Sequence, residues 1–340
     1  MRWRLLGIVL GLVGLLCFAF AYQYLILHFR KARYYCAVAP YNFNGGTSLN
    51  QTEFQQHLDI VKDLGFEGIV VHTMESFYDE GLLDWLFEAA KNRSLDVMLA
   101  IYYFNRTYHF PFPLETWNRT GFMINDAELY LFADYLKNVS QTAIKHPNFK
   151  GYILFYVFGF AHENRTWWMK QIETKTEEYA RRMQVLISAL NDSKPLYLTA
   201  EPWGAERSIE DVYNLLQKNF TGVDGFALQG YNFVIDDVQF EEVVVRQANY
   251  WKQYFGEIHI AEFGYRTIKI ETYHGLASSE QSKANMIREF IKKTWLWNSF
   301  VTYFCLTDFW QEGKKVDWGL IFDNQTYRPA AYVFKEMLKN

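Results

Sequence analysis

Residues 151–160 read GYILFYVFGF, ten positions without a charge or a polar break. A strand with one face in water alternates apolar and polar side chains. A run that is apolar throughout needs cover on both faces, the condition of a strand in a parallel sheet packed between helices. The flanking sequence supplies that cover: stretches of helical period run from about 126 to 144 and from 166 to 190.

The alternation extends along the chain. Further strands are expected in YYCAVAPYNF (34–43), FEGIVVHT (66–73), LDVMLAIYYF (95–104), PLYLTAEPWG (195–204), VDGFALQGYNF (223–233), EIHIAEFG (257–264) and FVTYFCLTDFW (300–310). Between the early strands, Phe54, Leu58 and Val61 share one helical face, and Leu83, Leu86 and Ala90 the next. Later helices are expected at 208–218, 239–254, 279–296 and 328–338. Strand then helix, eight times, is the order of a (β/α)8 barrel, an α/β fold. A doubly wound sheet would normally show a glycine-rich fingerprint after its first strand, and YNFNGGTS does not fit one. Glycine-rich phosphate loops after the seventh and eighth strands are likewise not evident. No linker rich in Pro, Gly or Ser divides residues 34–340, so they are expected to form one domain.

Residues 1–33 are different. The uncharged run from Leu5 to Leu27 is long enough to cross a bilayer as a helix, so a retained single-pass signal-anchor is expected. Cleavage after the small residues near Ala19–Ala21 would instead give a secreted protein. Nine Asn-x-Ser/Thr triplets begin at Asn50, Asn92, Asn105, Asn118, Asn138, Asn164, Asn191, Asn219 and Asn324. With 19 Asn and 29 Ser plus Thr in 340 residues, chance gives about two. The excess places the barrel on the extracytoplasmic side, as a glycoprotein.

A net charge of −4 offers no basic field for nucleic acid. Three cysteines form no disulfide framework and no metal-ligand spacing; Cys36 and Cys305, on the first and last strands, are expected as free buried thiols. Aromatics make up 19% of the chain, enough to supply both a bulky core and ring platforms for a flat ligand such as a sugar.

Barrel chemistry gathers at the C-terminal ends of the strands. Those ends carry Asn42, His72, Tyr102, Glu163, Glu201, Trp203, Gln229, Tyr231, Glu262, Asp308 and Trp310. No nucleophile elbow and no H-E-x-x-H helix is present, so acyl transfer and zinc hydrolysis lack support. Paired carboxylates ringed by aromatics and amides suit glycoside hydrolysis, which needs one carboxyl to donate a proton and another, ionised, to attack or to activate water. A glutamate tied to a helix lysine would account for Glu262 structurally instead.

IAEFG (260–264), the Gln229-Gly230-Tyr231 triplet and the tail FCLTDFWQEGKKVDWGLIFDNQTYRPAAYVFKEML (304–337) resemble the clan of retaining (β/α)8 glycoside hydrolases that includes cellulases, β-mannanases and β-glucosidases. The resemblance follows the barrel in order, with motif-level detail in the final third. It implies that Glu262 is the nucleophile, Tyr231 its hydrogen-bond donor and Trp310 a sugar platform. The acid/base would end the fourth strand after an Asn, yet ILFYVFGFAHENRTWW (153–168) has no Asn-Glu pair. Glu163 is the nearest carboxylate there, and Glu201 in AEPW (200–203) the other candidate. His72 stands where the clan commonly has an Arg. Asn42, Tyr102, Trp203 and Gln229 are candidate sugar contacts.

These readings lead to an oligo- or polysaccharide hydrolase, tethered to the membrane, that cleaves a β-linkage with retention and needs no metal or organic cofactor. A carbohydrate-binding barrel without turnover and a transglycosidase using the same residues are the alternatives.

Overall fold

The computed structural model describes residue 14 and residues 32–38, 50–73, 81–102, 126–158, 176–190, 193–200, 221–229, 252–253, 257–268, 276–311, 314–322 and 325–339. Eight parallel strands close into a barrel in sequence order: β1 (Arg33–Val38), β2 (Gly68–Thr73), β3 (Asp96–Tyr102), β4 (Phe149–Phe158), β5 (Leu196–Ala200), β6 (Gly225–Gln229), β7 (Ile258–Phe263) and β8 (Phe300–Tyr303). The described helices are α1 (Gln51–Asp63), α2 (Leu82–Lys91), α3 (Asp126–Ala143), α4 (Thr176–Ala189), α5 (Glu280–Thr294) and α6 (Pro329–Lys339). The helices expected at 208–218 and 239–254 lie outside the described residues, apart from two helical positions at 252–253. So does the run from Leu5 to Leu27 except Gly14. Among the described residues no helix is long and apolar enough to cross a membrane.

Strand alternation sorts the core into two shells. Tyr34, Cys36, Ile69, Val71, Val97, Leu99, Ile258 and Ile260 point outward into the layer beneath the helices, which present Phe54, Leu58, Val61, Leu83, Leu86 and Ala90 to meet them. Each Val, Leu, Ile or Phe among them contributes about 1.5–3 kcal/mol through burial. Asn50 caps α1 by accepting from the backbone N–H of Thr52 and Glu53, at 3.1 and 3.2 Å, and Ser279 caps α5 through Ser282 N–H at 3.0 Å.

The inner shell is aromatic at the floor. Tyr35, Tyr197, His259 and Phe300 plug the N-terminal end; the His259 and Phe300 rings stack at 4.4 Å, and Tyr197 meets both edge-on. Gly68 makes room for Tyr35, whose ring would stand 2.5 Å from a Cβ at that position. Val70, Met98, Ala100, Ile153, Ala227 and Ala261 complete this inner cluster.

His259 Nδ1 accepts the backbone N–H of Phe300 at 3.1 Å, which keeps the ring proton on Nε2. Burial, and then the charge of Lys252, push its pKa down to about 4. The unfolded chain therefore binds a proton between about pH 6.5 and 4 that the folded chain refuses, and folding stability rises with pH across that window. About 3 kcal/mol present above pH 6.5 is expected to be lost on acidification to pH 4. Urea midpoints in that range check this: a His259→Phe variant should show a flatter pH dependence, and an unchanged slope would contradict the assignment.

The eighth strand, expected over 300–310, divides. Barrel pairing ends at Tyr303, while Phe309–Gln311 (β9) turns back onto Lys314–Val316 (β10) as a separate antiparallel pair. Cys305 therefore lies beyond the barrel strand. It and Cys36 are free and buried.

Candidate active site

Strict alternation along β7 would put Glu262 outside with Ile258 and Ile260. It does not stay in step. Gln229 follows Leu228 by one residue, but their partners on β7 are Glu262 and Ile260, two apart. On the other side Ile260 pairs with Val301 and Phe263 with Tyr303, three residues against two. β7 thus carries one extra residue between Ile260 and Phe263, a bulge of the kind that re-aims a side chain. Phe263 returns to the outer shell, Ala261 faces the lumen, and the extra position turns Glu262 inward beside it, 4% exposed at the C-terminal end of the strand. A carboxylate there is costly to bury without a task or a partner.

At the same end of the barrel Ala37, Phe304, Cys305, Val316 and Trp318 form a small buried apolar cluster. The Cys305 thiol is held well above its usual pKa, chiefly by burial and then by negative charge around it, Glu262 included. Two residues past Glu262 the backbone passes so close to β8 that a Cβ on Gly264 would meet the Phe304 carbonyl oxygen at 2.1 Å and the Trp318 ring at 3.2 Å. Only glycine fits there.

No protein-family model matches the sequence, and no curated protein matches it. Solved structures do match in fold. A GH5_18 protein from Bifidobacterium longum subsp. longum, in complex with Manb1-4GlcNAc, aligns with a TM-score of 0.64 at 12% identity over 90% of this chain and 78% of that one. An exo-beta-1,4-mannosidase from Opitutaceae bacterium strain TAV5 aligns with a TM-score of 0.62 at 12% identity, over 91% and 59%. A GH10 endoxylanase from a sugarcane soil metagenome gives 0.57 at 14%, over 92% and 98%. The chain has the fold of the glycoside hydrolase barrels.

On this barrel several of the residues expected at the site fall at the strand ends. His72 lies near the end of β2 and pairs with Ala100, Tyr102 closes β3 opposite Phe155, and Gln229 closes β6 opposite Glu262. Trp310 does not extend the eighth barrel strand; it sits on β9, paired with Lys315. Asn42, Glu163, Glu201, Trp203 and Tyr231 lie outside the described residues. Among the described residues no group of three or more His, Cys, Asp or Glu is arranged to hold a metal.

Asp308, read as a strand-end acid, is bound elsewhere. Its carboxylate meets Arg328 at 2.5 Å and accepts Gly319 N–H at 2.9 Å. Arg328 also holds Glu280 at 2.5 Å. Burial raises the Asp308 pKa, and Arg328 opposes that rise. This acid braces the segment after β8.

One buried helix lysine is bound to groups other than Glu262. Lys283, fully buried on α5, donates to the carbonyls of Asp317 and Gly319 at 2.6 and 3.0 Å. Its hydrogen bonds go to backbone oxygens and not to the Glu262 carboxylate.

Three features of the site escape a reading by strand alternation: the bulge, Trp318 and Lys283. The bulge does leave a trace, because apolar residues at 258, 260 and 263 break the two-residue period at the glutamate.

Proposed function

We propose that the chain is a glycoside hydrolase that cleaves a β-linked saccharide with retention. The observation that carries this reading is a buried glutamate turned inward by a bulge at the end of the seventh strand, in a barrel with the glycoside hydrolase fold. In the first step a Glu262 carboxylate oxygen attacks the anomeric carbon, the bond to the leaving oxygen breaks, and a second carboxyl, Glu163 or Glu201, gives that oxygen its proton. In the second step the same carboxylate takes a proton from water, which attacks the anomeric carbon and frees Glu262. Tyr231 would hold Glu262 ionised, and Asn42, His72, Tyr102, Trp203, Gln229 and Trp310 would contact the sugar. The chemistry needs no cofactor.

The fold is shared with a protein bound to Manb1-4GlcNAc and with an exo-beta-1,4-mannosidase, which makes β-mannosides the first substrates to try. The same reading keeps the Leu5–Leu27 run as a single-pass membrane anchor with the barrel on the extracytoplasmic side. Exposed sequon asparagines at Asn50, Asn92 and Asn138 support that placement, as a glycan needs open space.

The missing Asn-Glu pair on the fourth strand favours one other reading, a barrel that binds saccharide without turnover. Purified full-length protein incubated with aryl β-mannosides and β-glucosides separates the two. Phenol release is expected. Calorimetric binding of oligosaccharide with no release of product would replace hydrolysis with binding.

A further inference from the structure

The segment 317–319 between β10 and α6 is held at nearly every polar atom. Lys283 binds the carbonyls of Asp317 and Gly319, and the Tyr303 hydroxyl donates to the carbonyl of Trp318 at 2.9 Å. Gly319 N–H goes to Asp308. The Asp317 carboxylate accepts from Thr267 Oγ1 at 2.6 Å, from Thr267 N–H at 3.0 and 3.1 Å, and from Ile268 N–H at 2.9 Å. In return the segment grips the chain that leaves β7. Trp318 closes on Gly264 and on Phe304, with ring centroids 6.1 Å apart, and the Arg266 guanidinium lies 5.3 Å above its ring.

We infer that Lys283 is a positioning residue for Glu262, acting through residues 317–319 and the 264–268 stretch that they clamp. The inference rests on the hydrolase reading for its consequence in turnover, and on geometry alone for its consequence in structure. Burial draws the Lys283 pKa down to about 8, with Glu280 and Asp317 opposing the fall, so the side chain keeps its charge at neutral pH. A buried ammonium whose bonds go to backbone carbonyls is an expensive way to stabilise a core. It is an effective way to fix three consecutive carbonyl-bearing residues from the helix behind them. Placing them fixes Trp318, Trp318 fixes the path through Gly264, and that path sets the direction of the carboxylate two residues earlier.

The test compares the full chain with Lys283→Met and with Thr267→Val, which loosens the same clamp from its other side and leaves the buried lysine in place. With an aryl β-glycoside, Lys283→Met is expected to lower kcat by about 100-fold with KM within about 3-fold, the pattern of a misplaced reacting group. Thr267→Val is expected to lower kcat by about 3- to 10-fold in the same manner. Hydrogen exchange followed by mass spectrometry needs no substrate: peptides covering 258–268 are expected to exchange at least about 10-fold faster in either variant, with β2 and β3 unchanged. Should Lys283→Met fail to fold, Thr267→Val carries both readings. Unchanged exchange at 258–268, or a loss expressed in KM with kcat intact, overturns the inference. A wild-type chain that hydrolyses nothing while its variants still loosen at 258–268 would count against the hydrolase reading and in favour of the clamp.

Discussion

Glu262→Gln is expected to lower kcat for an aryl β-glycoside by at least about 1000-fold, with the folded state intact. The amide matches the carboxylate in shape and keeps one acceptor oxygen, so the packing at this buried position has little reason to change. What it loses is the negative charge that attacks the anomeric carbon. The amide can keep an acceptor contact of the carboxylate, so its melting temperature should stay close to that of the wild type. The pairing of those two results matters. Lost turnover with reduced stability would mean that the carboxylate holds the barrel together, whereas lost turnover with preserved stability assigns it to chemistry. Retained turnover would remove Glu262 from the reaction.

The second large effect concerns stability. Arg328→Met is expected to cost about 3–5 kcal/mol, read from urea or thermal unfolding. Arg328 stands between Asp308 and Glu280 at 2.5 Å from each, and the side chains of Arg328 and Asp308 are both 8% exposed. Removing the guanidinium leaves an uncompensated buried carboxylate, and its loss outweighs the packing that methionine retains. The companion Asp308→Asn should recover part of the loss when added to Arg328→Met, because it removes the orphaned charge. A single-variant cost under about 1 kcal/mol would show instead that the pair is screened by water.

How much of this was legible in the sequence depends on which physical rule governed each element. Strands buried on both faces announce themselves as unbroken apolar runs, which is why GYILFYVFGF and its counterparts yield the barrel order. Amphipathic period located α1 and α2 by the same faces that they bury, Phe54, Leu58 and Val61 on one, Leu83, Leu86 and Ala90 on the other. Strand ends were harder. FVTYFCLTDFW reads as one strand because nothing in its composition stops at Tyr303; the barrel pairing stops there, and Phe309–Gln311 finds a different partner in Lys314–Val316. Pairing is a tertiary choice that local propensity does not encode.

The site follows the same division. Residue type and strand position picked out Glu262, whereas its inward direction depends on an extra residue that the register with β6 and β8 places. Trp318 and Lys283 come from segments remote in sequence from the strand end that they support. Lys283 sits on a helix where a lysine would ordinarily be read as solvent-facing, and its burial depends on the carbonyls of 317 and 319 arriving from the other side. Asp308 looked like a site acid for the same reason in reverse: its partner, Arg328, lies 20 residues on and beyond two further strands.

In the proposed mechanism Glu262 bonds to the sugar. Incubation of the full chain with a 2-deoxy-2-fluoro β-glycoside carrying an activated leaving group, followed by peptide mass spectrometry, tests it most directly, because the fluorine slows the second step and lets the intermediate accumulate. One added glycosyl mass is expected on the peptide containing Glu262 and none on the Glu262→Gln chain. A label on any other carboxylate, or rapid hydrolysis giving an inverted product, would contradict it.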